Sequence, residues 1–152
     1  MTVLNRREVA EALAAAMEFG LARARTAFEE LQTSLEGESK STAGDKHETG
    51  RAMVQMEMEQ AAARLSRVEG MMRQWHALEP LRGREQVRPG AIVSTDQGGF
   101  ILGVAWGKFE GPGDATWRAI SSDAPLAQAM QARGPGDTVE FRGRMWHIIS
   151  VG

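Results

Sequence analysis

Two long apolar seams limit what this chain can become. Val9, Leu13, Met17, Leu21, Ala24, Phe28, Leu31 and Leu35 recur at steps of three and four, as do Val54, Met58, Ala61, Leu65, Val68, Met72 and Trp75. That spacing keeps apolar side chains on one face of a helix, and Arg6, Glu18, Arg23 and Glu30 fall off the first seam. Each helix is expected to run about 30 residues, roughly 45 Å at 1.5 Å per residue. A helix of that length with a single apolar stripe must cover it, and two such helices joined by a short break most simply cover each other. Small residues at Ala14, Ala15, Ala16 and Ala61, Ala62, Ala63 permit close approach. The seams therefore predict an antiparallel coiled-coil helical hairpin over residues 1–79, with a polar tip at 41–52.

The helical period fades at Leu78-Glu79-Pro80, and Pro80, Gly83, Pro89 and Gly90 mark a linker over 80–90. Beyond it the period shortens to that of strands. Residues 91–95 and 100–106 read as strands joined by the turn Asp96-Gln97-Gly98-Gly99, and 116–121 as a third strand after Gly111-Pro112-Gly113-Asp114. Residues 125–132 read as a short helix with Asp123 near its start as a cap. Strands at 138–142 and 145–151 flank Gly143. The expected fold class is α+β, with a small, mostly antiparallel sheet domain carrying one short helix over 91–152. Trp106, Trp117 and Trp146 are expected in its core.

Composition narrows the function classes. Hydrophobic residues make up 42% of the 152 and charged residues 25%, as in a folded, soluble protein. No run approaches the roughly 18–20 apolar residues of a membrane span. Glu8 and Glu11 stand where a signal peptide would have its apolar stretch, so a cytoplasmic protein is expected. With no cysteine, disulfides and thiolate metal sites are excluded. Net charge is −3 over residues 1–79 and +1 over 80–152. Neither half carries the dense positive face that grips duplex phosphates, so direct DNA binding is disfavoured, while contact with nucleic acid already held by another protein stays open.

The break between the seams carries two acids, Asp45 and Glu48. Asp-x-x-Glu ahead of a helix is a capping-box pattern, with Asp45 as cap and Glu48 satisfying amides at the positive helix end. The same spacing puts two carboxylates one turn apart, where they can share a hard cation whose shell water completes. Spacing alone does not choose between these. His47 lies between the acids, but as an exposed loop histidine with no visible partner it is more simply idle than a proton carrier. Lys46 and Arg51 could touch an RNA backbone, or serve only as solvated charges beside a cap. The methionines read as adaptable packing, with Met53 and Met56, off the seam, the better candidates for partner contact.

Two separate blocks resemble the bacterial Gre transcript-cleavage factors. One is Gly44-Asp45-x-x-Glu48 at the turn of an N-terminal hairpin. The other is Ser122-Asp123-Ala124-Pro125-Leu126-Ala127-Gln128-Ala129-Met130, followed by Arg133 and Gly136-Asp137-Thr138-Val139. The resemblance implies an FKBP-like C-terminal domain that docks at the mouth of the secondary channel of RNA polymerase. It implies a coiled coil extending down that channel, and tip acids that help hold Mg²⁺ and a water so that backtracked RNA is cleaved. On this chain the metal and water role falls to Asp45 and Glu48, while Asp123 and Pro125 match the polymerase-contacting stretch. The implied cofactor is Mg²⁺ shared with the polymerase, and the implied partners are RNA polymerase and, indirectly, the nascent RNA 3′ end. The polymerase would remain the enzyme, and an FKBP-like fold by itself implies no isomerase activity. After the acids the family pattern is Asn-Ala-Glu-Tyr, where this chain has Thr49-Gly50-Arg51-Ala52, as in a divergent Gre-like subgroup. That departure keeps a second reading open, a secondary-channel regulator or inhibitor without cleavage. A third is a coiled-coil interaction protein unrelated to polymerase.

Overall fold

The structure is a computed structural model and describes residues 5–39 and 44–152, with the side chains of 38, 39, 44–48 and 114 outside that description. The protein is α+β, with two long helices followed by a six-stranded mixed sheet. Helix α1 spans Arg6–Ser39 and α2 spans Gly44–Ala77, each of 34 residues or about 51 Å. Strands β1 (Ile92–Thr95), β2 (Gly98–Leu102), β3 (Gly107–Glu110) and β4 (Thr116–Ile120) precede the short helix α3 (Pro125–Met130). Strands β5 (Thr138–Phe141) and β6 (Arg144–Val151) complete the chain. Among the described residues no helix is long and apolar enough to cross a membrane.

Every residue of both expected seams is buried or half-buried, whereas most of their neighbours are exposed. The chain divides into two compact units, one made of Glu18–Gly70 and the other of the start of α1 up to Met17 together with Met71–Gly152. In the first unit Ala24 and Val68 are the buried seam positions, and the others are half-covered.

The second unit is built around the sheet, whose strand order is β3-β4-β2-β1-β6-β5. All pairings are antiparallel except β2 with β4, which run parallel with Ile101 opposite Ala119. Side chains alternate across a strand, and both faces are used. Ile92 and Ile101 join Val9, Leu13, Met17 and Trp75 in one core, with Phe109, Trp117 and Ala119 from β3 and β4. Val93, Phe100 and Leu102 face the other way, onto Ala127 and Met130 of α3 and Val139 and Ile148 of β5 and β6. Trp117 is buried in the first core; Trp106 and Trp146 are half-buried at the edge of each.

Two departures from the sequence reading have physical causes. The apolar run at 100–106 splits: β2 ends at Leu102, Gly103 turns the chain at φ 138°, and β3 begins at Gly107. The stretch at 80–90 is tied down, because Val87 is fully buried and exchanges backbone hydrogen bonds with residues 132 and 133 at 2.9 and 2.8 Å.

Gly99 and Gly111 lie directly against the Trp117 ring, where an added methyl would collide with it. Gly99→Ala is therefore expected to destabilise the protein by about 1–3 kcal/mol, as overpacking does. Urea denaturation measures this; a neutral effect would contradict the close approach.

Candidate functional site

Two groups of residues carry the chemistry expected from the sequence, and the structure describes them to different depths. The better described is the turn between β4 and α3. Strand β4 is fixed by its parallel pairing with β2, and the Gly103 N–H donates to the carbonyl of Ile120 at its end, 2.8 Å away. From there the chain makes a tight turn. The Ala124 N–H donates to the carbonyl of Ser121 (3.0 Å), and the Asp123 N–H donates to the Ser121 hydroxyl (3.2 Å). Gln128 reaches back from α3, its side-chain amide donating to the carbonyl of Ser122 at 3.1 Å. Asp123 and Pro125 are exposed on this pinned turn, two residues apart.

The expected capping role of Asp123 is not what the structure has. The residue at the cap position is Ala124, with no side-chain cap hydrogen bond, and Pro125 occupies the first helical turn. Asp123 sits one residue too early, and proline at that position removes one of the donors a cap would satisfy. Among the described residues its carboxylate has neither a hydrogen bond nor an ion pair. An exposed, unengaged carboxylate beside a rigid proline can meet a cationic or amide-bearing surface with little loss of backbone freedom.

Other residues of the second motif block work inside the fold. The Asp137 carboxylate accepts the Gly134 N–H at 2.8 Å, and Gly136 takes φ 88°. The Gly136 N–H donates to the Ile148 carbonyl and the Ile148 N–H to the Asp137 carbonyl, at 2.8 and 2.9 Å. Together they seat β6 beside the turn. The Arg133 carbonyl accepts the Val87 N–H at 2.8 Å.

The second group is the acidic break. Helix α2 begins at Gly44, so positions 45 and 48 are its second and fifth residues, about one turn apart. A capping box would place Asp45 just ahead of the helix, whereas the helical backbone includes it. The side chains of Asp45, Lys46, His47 and Glu48 and the whole of 40–43 lie outside the described residues. Arg51 is exposed on α2, as are Met53 and Met56. Among the described residues no group of three or more histidine or carboxylate side chains could hold a metal ion. Two carboxylates one helical turn apart suit part of the shell of a hard cation and need further ligands from elsewhere.

Sequence reading gave no role to the arginines of 80–90. Arg82, Gly83, Arg84, Glu85, Arg88 and Pro89 line a surface depression there. The dense arginine spacing was the available signal; what hid it was the reading of the stretch as a linker from its prolines and glycines. No protein-family model and no curated protein matches this chain.

Proposed function

We propose that the protein is a transcription elongation factor that docks at the secondary channel of RNA polymerase and presents Asp45 and Glu48 to its active centre, promoting cleavage of backtracked RNA. In this reading α1 and α2 form an antiparallel coiled-coil hairpin, and the half-burial of Leu21, Phe28, Leu31, Val54, Met58 and Leu65 is what a single covering helix provides. The sheet unit is the FKBP-like docking domain. The observation that carries the reading is the turn at 121–125, because a free carboxylate and a proline stand exposed on a backbone pinned from both sides. These are the positions at which the Gre resemblance places polymerase contact.

The chemistry asked of the tip is modest. Asp45 and Glu48 would share a Mg²⁺ ion with carboxylates of the polymerase, and the ion's contribution is to activate water and neutralise charge on a phosphoryl oxygen. Positions 45 and 48 stand three residues apart on the backbone of α2, a spacing from which two carboxylates would reach one ion together. Alone they form too small a ligand set to hold the ion tightly. The polymerase is therefore the enzyme, and the cofactor is bound only in the complex.

Charge reversal at the docking turn tests the reading. Asp123→Arg is expected to weaken binding to core RNA polymerase roughly tenfold or more, about 1.4 kcal/mol. Circular dichroism should stay unchanged because the side chain is exposed. Fluorescence anisotropy of a labelled protein titrated with polymerase gives the number. Wild-type failure to bind would remove both polymerase readings and leave an unrelated coiled-coil protein.

A further inference from the structure

The arginines around residues 82–90, with Arg6 behind them, outnumber the carboxylates beside them. Arg84 donates through Nε to the Pro89 carbonyl at 3.3 Å, through Nη2 to the Leu78 carbonyl at 2.6 Å, and through Nη1 to the Arg82 carbonyl. Its guanidinium is thus fixed by main-chain oxygens and by no carboxylate. Arg6, from the start of α1, donates through Nη2 to the Gly90 carbonyl at 2.9 Å, while its Nε and Nη1 are buried without a partner. The two guanidiniums converge on Gly90, where an added Cβ would lie 2.6 Å from Arg84 Nη2. Burial first, and then the charge of Arg84, lower the Arg6 pKa to about 10. Arg82 meets only the exposed Glu79, at 3.3 Å, and Arg88 has no ion pair among the described residues.

We propose that the depression lined by Arg82, Gly83, Arg84, Glu85, Arg88 and Pro89 binds a phosphate-type oxyanion. Its cations are all arginines, whose forked donors match the oxygens of phosphates and carboxylates. Charge selects between those two. Counting Arg6 behind the lining, four guanidiniums stand against two carboxylates, Glu85 in the lining and Glu79 on Arg82, which leaves an excess of two positive charges. A phosphoryl group carries about −1.5 to −2 near neutral pH and balances that excess, whereas a carboxylate balances half of it. The ring is also preformed: the bonds of Arg84 and the positive φ of Gly90 (89°) fix the loop before any ligand arrives. The phosphoryl group can belong to free phosphate or to a nucleotide.

The test follows backbone amides of residues 83, 84, 88 and 90 in ¹H–¹⁵N spectra of the full chain. Inorganic phosphate and a nucleoside triphosphate are titrated separately, with chloride and acetate at matched ionic strength as controls. Saturable shifts confined to this loop are expected with phosphate and not with the controls. Arg88→Ala and Arg82→Ala, whose side chains are exposed and hold no buried bond, should each raise the apparent Kd at least about fivefold while the remaining spectrum stays unchanged. Tighter binding of the triphosphate at the same amides assigns the group to a nucleotide, and equal or weaker binding to free phosphate. Shifts that do not saturate, that chloride or acetate reproduces, or that survive both substitutions overturn the proposal.

Discussion

Replacing Trp75 with alanine is expected to destabilise the sheet-containing unit by about 3–5 kcal/mol, the usual range for a fully buried aromatic. Trp75 is 1% exposed and belongs to the seam of α2, yet it packs in the core that also contains Ile92, Ile101 and Trp117. Removing it takes away surface from helix and sheet at once, and close-packed neighbours fill such a void only partly. Domains of this size are stable by about 5–15 kcal/mol, so the loss is a large share of the total. At roughly 2–4 °C per kcal/mol, the thermal midpoint should fall by on the order of 10 °C. Phe19→Ala is the control, since Phe19 is 66% exposed and its loss should stay within about 0.5 kcal/mol. Similar midpoints for the two variants in thermal denaturation would contradict the placement of Trp75 in a shared core.

The second large effect is expected at the tip. In the double variant Asp45→Ala/Glu48→Ala, stimulated cleavage of backtracked RNA should fall on the order of a hundredfold or more, as when a preorganised group facing developing charge is removed. In the proposed role the two acids share one ion, so each single variant should lose nearly as much as the double. Affinity for polymerase should change little, because the turn at 121–125, the proposed docking site, is untouched. The substitutions also remove acids near the start of α2, which costs up to roughly 0.3–1 kcal/mol of helix stability each. Circular dichroism separates that small loss from the larger functional one.

How far the sequence reaches depends on which residues an interaction joins. The seams are legible because their period is local: each of Val9 through Leu35 and Val54 through Trp75 is covered as the spacing requires. Strands β1, β4, β5 and β6 are legible within a residue or two for the same reason. Strand β3 is not, because Phe109 is the single buried residue of its four and sets no period. The parallel pairing of β2 with β4 depends on where β3 folds back, which no local pattern encodes. That Trp75 serves the sheet core as well as the seam is a tertiary fact, invisible to helical spacing. Asp123 and Pro125 were legible as candidates, but whether Asp123 caps α3 or faces outward turned on the position of Pro125 and the hydroxyl of Ser121. The arginine cluster was hardest, since Arg6 meets Gly90 across 84 positions of sequence.

The proposed cleavage role rests on the two acids at positions 45 and 48, near the start of α2. A backtracked elongation complex with labelled RNA, supplied with Mg²⁺ and either the wild-type protein or Asp45→Ala/Glu48→Ala, measures their role directly. Rapid shortening of the RNA 3′ end is expected with the wild type, and none above the polymerase's own rate with the double variant at saturating concentration. Equal cleavage by both proteins would contradict that role, and so would binding of the wild type with no cleavage above that intrinsic rate.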